Sequence, residues 1–343
     1  MLLPPCRGPL SEAVITAMRS GDVVGPRLRR LARRAVEASR EESRDPLVDD
    51  DVQLTLAVLY EPHFRGFDDA AEDLEWNAAL ISVRQVLEAA FDAAVRQQAA
   101  LFADAAGVDL EPGTDVVAGL RGLVAHEAGP SLSKHVLREA TLDQVRDYLV
   151  QRSAYHLREA DPHTLAIPHV AGRAKSALVE IQSDEYGNGR PGEAHSELYA
   201  RAMRALDLDD TYGAHWPVTL AEAFATVNLM SFLGLHARRV GACLGHLAAL
   251  EMTSSLPMSR YGEGLRRLGQ GPAATGYFDE HVEADAVHEQ LAAVDMCGSW
   301  AAENPGREHE VLLGAAATLA LDARFGTRLL DCWGALSAQG VAA

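Results

Sequence analysis

From residue 52 onward the apolar side chains recur three and four positions apart, and that period commits the chain to helices. Residues 52–60, 74–105 and 116–128 each carry the pattern, punctuated by Pro62, Gly66, Gly107 and Pro112-Gly113. After Gly129-Pro130 it resumes over 142–160, 167–186, 194–206, 220–252, 259–268, 278–304 and 307–337. Aromatic residues make up only 6% of the chain, and long Val/Ile/Thr/Tyr runs are scarce. An all-α fold is therefore predicted. No internal repeat or low-complexity tract interrupts it.

The chain has 343 residues, 48% of them hydrophobic, enough for one large core or two smaller ones. Residues 1–48 read as a charged arm with one helix at about 13–39, ending in the acidic run 45–51 around Pro46. Residues 49–135 read as an N-terminal helical region and 136–343 as a helical bundle. A net charge of −18 repels a phosphate backbone, so no nucleic-acid partner is expected. The basic stretch 27–34, followed by Glu37, Glu41 and Glu42, reads as a solvated helix face or a subunit contact. Cys6, Cys243, Cys297 and Cys332 are far apart and form no CxxC pair, which argues against a thiolate metal site or a disulfide framework. Leu2-Leu3 before Pro4-Pro5 is too short for a signal peptide, and no apolar run spans a bilayer. A cytoplasmic protein with no membrane partner is expected.

The chemistry concentrates in the bundle. His281, Asp285 and His288 are spaced four and three apart, so on a helix they stay within roughly 40° of one direction and can converge on one point. Glu159, Glu185, His195 and Glu251, on other helical segments or at their edges, can close a coordination sphere. Three imidazoles and four carboxylates without thiolate suit ferrous iron or manganese better than a structural zinc. Two divalent ions would also balance the four carboxylate charges, so two metals fit better than one. Between Glu185 and His195, the residues Gly187, Gly189, Pro191 and Gly192 cannot sustain a helix, so this segment is predicted to be broken.

The strings Leu157-Arg158-Glu159-Ala160-Asp161-Pro162-His163, Asp184-Glu185-Tyr186-Gly187 leading to His195, the arginine-bearing helix ending in Glu251, and His281-x3-Asp285-x2-His288 resemble the haem-oxygenase-like di-iron oxidases. The resemblance covers most of residues 50–340. It implies a haem-oxygenase-type helical bundle with an additional N-terminal helical region. It also implies two Fe(II) ions held by Glu159, Glu185, His195, Glu251, His281, Asp285 and His288, with O₂ as co-substrate and an external reductant as electron donor. The N-terminal region is similar to that of the family's N-oxygenases, where it supports a homodimer. N-oxygenation of a small amine, guanidine or aminoazole in secondary metabolism is the implied activity. No cupin-like mono-iron domain accompanies the bundle, so N–N bond formation is not expected.

Other readings compete. The same irons could abstract hydrogen from carbon and drive desaturation, fragmentation or decarboxylation, or the bundle could be a catalytically silent metal- or metabolite-binding dimer. A haem-degrading enzyme would give no reason for four inward carboxylates. His63, His126, His135, His156, His163, His169, His215, His236, His246 and His309 read as surface or structural residues. Glu180, Glu193, Glu280, Glu283 and Glu289 read as solvated faces, and Met230, Met252 and Met258 as core filling. Gly187-x-Gly189 lacks the preceding strand and following lysine of a phosphate loop. Arg158, Arg173, Arg239, Tyr155 and Asn228 are candidate substrate contacts, with nothing to rank them.

Overall fold

The protein is described here by a computed structural model that covers residues 1–41 and 45–336, with the side chains of 39–41 and 283–287 outside the description. Among the described residues there is no strand. The N-terminal part holds α1 (Pro9–Ser20), α2 (Gly25–Glu41), α3 (Asp50–Tyr60), α4 (Ala78–Ala106), α5 (Val116–Ala125) and α6 (Leu132–Arg138). The remainder holds α7 (Leu142–His156), α8 (Asp161–Thr164), α9 (Gly172–Glu185), α10 (His195–Ala205) and α11 (Ala221–Leu235). It continues with α12 (Val240–Thr253), α13 (Ser255–Arg267), α14 (Pro272–Gln290), α15 (Ser299–Glu303) and α16 (Glu308–Cys332). A π-helical stretch, Leu291–Gly298, joins α14 to α15.

Caps written in the sequence begin several of these helices. Asn77 accepts from the backbone N–H groups of Ala79 and Leu80 to start α4, and Thr141 with Gln144 forms a reciprocal capping box on α7. The N-terminal segment differs from the single helix expected there. α1 buries Leu10, Val14 and Met18 and packs on α3, whereas α2 buries Leu28 and Ala32 and packs on α4. One straight helix could not serve both surfaces. The arginines of α2 at 27, 29, 30, 33 and 34 are exposed, as a solvated face requires.

The centre of the bundle is the contact between α12 and α16. Residues 240–249 of α12 are buried without interruption, so this helix has no solvent face for most of its length. Its close approach to α16 depends on two glycines. A Cβ on Gly245 would lie 1.9 Å from the Val311 carbonyl oxygen, and one on Gly314 would lie 2.0 Å from that of Ala242. α4 and α5 also pack on α16, which joins the N-terminal helices to the bundle directly.

The expected helix over 220–252 is two helices. α11 stops at Leu235 because the next residues are tied sideways to α4: Nε2 of His236 bonds Glu88 at 3.0 Å, and Arg239 donates to Asp92 at 2.8 Å. Neither tie is visible in the local sequence. Among the described residues no helix is long and apolar enough to cross a membrane. Cys243 and Cys297 are buried and Cys6 and Cys332 exposed, all four free.

Candidate metal centre

Each candidate ligand is delivered by a helix end or a helix face. α7 ends at His156, so Glu159 lies in the turn that follows rather than on the helix expected over 142–160. Asp161 donates its N–H to the Glu159 carbonyl at 2.9 Å around Ala160, whose φ of 70° and ψ of −37° make a strained γ-turn. Glu185 is the last residue of α9 and His195 the first of α10, so the predicted break falls between them. Gly187 sits in that break at φ 65°, where a Cβ would lie 2.5 Å from the carbonyl carbon of Glu193. Glu251 comes from α12, and His281 and His288 from α14.

The fold brings most of these side chains together. Glu159, His195 and His281 are all buried, and each offers a ligand atom within 4.8 Å of the others. The His195 and His281 ring centres are 4.3 Å apart. Oε2 of Glu185 stands 3.2 Å from Nδ1 of His195 but outside hydrogen-bond geometry, and both atoms are buried without a hydrogen-bond partner among the described residues. Glu251 and His288 form a neighbouring group, with Oε2 of the first 3.2 Å from Nδ1 of the second. Nε2 of His288 lies 2.8 Å from Asp184. The side chain of Asp285 lies outside the described residues.

Three participants were not among the ligands expected from the sequence. The Tyr277 hydroxyl lies 2.7 Å from Nδ1 of His156 and 3.0 and 3.2 Å from the two oxygens of Glu159. His156 itself is 2.9 Å from Glu159, buried and hydrogen-bonded as one of its two expected roles allowed, and it adjoins the site. Asp184 is the third. The available signal was spacing: Tyr277 precedes His281 by four residues, His156 precedes Glu159 by three, and Asp184 adjoins Glu185.

A cavity of about 140 Å³ opens beside the cluster. Glu159, Glu185, Glu251 and His281 line it, with Leu229, Leu247, Leu250 and Met258 forming apolar wall. Of the proposed substrate contacts, Tyr155 lines this cavity and the other four do not. Arg158 is paired with Glu61 at 3.1 Å, Arg239 with Asp92, and Arg173 with Asp295 at 2.6 Å, while Asn228 donates to Gln53. The arginine that lines the cavity is instead Arg152, ion-paired with Asp322, which lines it too. His163 and His246, expected as structural residues, also line the cavity and are hydrogen-bonded to each other at 2.9 Å.

Burial dominates the electrostatics. It pushes Glu159 up to about 7, with the Glu185 charge adding to the effect. Burial also favours a protonated Glu185, yet the neighbouring His195 and His281 hold that carboxyl below its ordinary range. The two histidines move apart. Against its burial, His195 is raised to about 10 by Glu185, whereas burial and the His195 charge lower His281 to about 4. His288 rises to about 9, burial being outweighed by Glu251 and Asp184. Buried acids, with the Glu185 charge raising Glu159 and Glu251, beside an imidazole nitrogen and a carboxylate oxygen with no hydrogen-bond partner among the described residues, form a donor set that a divalent cation would satisfy. Nitrogen and oxygen donors without sulfur match iron or manganese.

A family model described as iron-containing redox enzyme matches residues 146–323. The chain belongs to this family, and its all-α architecture is that of a haem-oxygenase-like bundle. Among curated proteins, a nitrosourea synthase from Streptomyces achromogenes subsp. streptozoticus is 26% identical over 162 residues, which is 47% of this chain and 34% of that protein. The chain thus covers about a third of the length of that relative. A crystal structure of a CADD-like protein of unknown function from Nostoc punctiforme superposes with a TM-score of 0.50. It covers 62% of this chain and 94% of that one at 18% identity, a likeness of fold.

Proposed function

We propose that this oxidoreductase is a non-haem di-iron oxygenase that N-oxygenates a small amine, guanidine or aminoazole, using O₂ and electrons from an external donor, as a homodimer. Glu159, Glu185, His195, Glu251, His281, Asp285 and His288 would hold two Fe(II) ions. The observation that carries this reading is the buried meeting of Glu159, His195 and His281 beside the cavity, with Glu185 3.2 Å from His195 and with Oε2 of Glu185 and Nδ1 of His195 lacking hydrogen-bond partners among the described residues. A relative named for nitrosourea synthesis supports nitrogen as the atom oxidised, because a nitroso group requires it.

Iron, when bound, supplies the redox chemistry with O₂. The chain supplies position and exclusion. Nδ1 of His281 donates to the Tyr277 carbonyl at 2.8 Å, which turns the Nε2 lone pair toward the pocket. The Tyr277 phenol fixes the Glu159 carboxylate. Leu229, Leu247, Leu250 and Met258 give the cavity an apolar wall, and its volume of about 140 Å³ suits a small molecule.

The test is O₂ uptake, with mass-spectrometric detection of nitrogen-oxidised product, by Fe(II)-loaded protein offered a panel of amines, guanidines and aminoazoles. The His281→Ala variant is expected to lose turnover. Undiminished turnover in that variant would overturn the reading, and an alkene or a released one-carbon fragment would move the chemistry from nitrogen to carbon.

A further inference from the structure

The turn that carries Glu159 is held from outside the region that matches the family. Three residues of the segment after α3 grip it. Glu61 is fully buried and pairs with Arg158 at 3.1 Å, while Tyr212 donates to the same Glu61 oxygen at 2.8 Å. Arg65 donates to the Leu157 carbonyl at 2.9 Å and pairs with Asp161 at 3.9 Å. The Arg158 guanidinium stacks 4.0 Å from the Phe64 ring and donates to Ser231 at 2.9 Å. Residues 157, 158 and 161 are thus each tied down, and they bracket Glu159 and Ala160.

The turn needs holding. Ala160 occupies a left-handed backbone conformation that an L-residue with a Cβ adopts only under constraint. Released, it would relax to negative φ, and the Glu159 carboxylate would swing with it. We propose that Glu61 and Arg65 are positioning residues for Glu159: by clamping Arg158, Leu157 and Asp161 they keep a strained turn closed, so that metal binding depends on the N-terminal helices. This rests on Glu159 being a metal ligand, as argued above. It makes the N-terminal region part of how the centre loads metal, separately from any role in dimerisation.

Co(II) binding to the full-length protein, followed by titration calorimetry and by the d–d absorption of the ion, tests the clamp without recourse to activity. Glu61→Gln is expected to weaken Co(II) binding about ten-fold, the scale on which residues behind metal ligands act. Ala160→Gly introduced into that variant is expected to restore most of the loss, since glycine adopts the same φ without strain. Should Glu61→Gln fail to fold, Arg65→Met serves instead. Its side chain is 46% exposed, so removing its charge leaves no buried ion unpaired. Affinity within two-fold of wild type in the variant used would overturn the clamp, and so would a double variant with Ala160→Gly no tighter than the single one. Wild-type protein that binds no Co(II) would overturn the metal reading itself, and the clamp with it.

Discussion

Tyr277 and His281 lie one turn apart on α14, and the backbone carbonyl of the first accepts a hydrogen bond of 2.8 Å from Nδ1 of the second. The same tyrosine turns its hydroxyl to Glu159, 3.0 Å away. One residue therefore orients two candidate ligands that are 122 positions apart, one through its backbone and one through its side chain.

Tyr277→Phe keeps the ring and removes the hydroxyl. Glu159 loses the phenol donor in a buried site and keeps only His156 close by, so a stability loss of about 1–2 kcal/mol is expected by urea unfolding. Metal affinity should fall about ten-fold by calorimetry. Unchanged affinity would show that Glu159 needs no help from α14.

Metal binding should release protons. In the metal-free protein at pH 7.5, His195 and His288 are held protonated by their carboxylate neighbours, with values of about 10 and about 9. A metal must displace both protons, so affinity should rise with pH across the neutral range. Calorimetry of Co(II) binding in buffers of different ionisation enthalpy measures the release directly. No net release at pH 7.5 would contradict the assignment of these two histidines.

The His163–His246 pair sets an acid limit on the fold. Burial lowers His163 to about 4 and His246 well below its ordinary value, so both are neutral when folded and take up protons more readily when unfolded. Their stabilising contribution is present above pH 6.5 and is lost as pH falls from there toward 4. His163 alone accounts for roughly 3 kcal/mol over that window. Thermal unfolding of the metal-free protein at pH 7 and pH 5 should show the drop. In a His163→Gln/His246→Gln variant the slope should flatten.

Gly245→Ala should loosen the bundle. The added Cβ would meet the Val311 carbonyl oxygen at 1.9 Å, so α12 must shift away from α16, at about 3 kcal/mol. α12 also carries Glu251, and metal affinity should fall with stability. A urea midpoint equal to wild type would mean that the two helices can separate freely.

The helical pattern was legible because a buried stripe at period 3.6 survives any arrangement of neighbours, and the α9–α10 break was legible because Gly187, Gly189, Pro191 and Gly192 leave the backbone little choice. The break at His236 was not, since it depends on Glu88 and Asp92 of α4, about 150 residues earlier. Much the same division runs through the site. Glu159, Glu185, His195, Glu251, His281 and His288 could be named from residue type and spacing. His156, Tyr277 and Asp184 could not, because a tyrosine or a second acid near a helix end looks ordinary until its partner is in place. The sequence by itself settled the class of fold and the kind of donor atoms, both being local properties of helices and side chains. Only the tertiary structure decided which donors meet, how burial and neighbouring charges shift each imidazole, and which distant residues tie down the positions on either side of Glu159. Those depend on burial and on distances between segments that no spacing along the chain encodes.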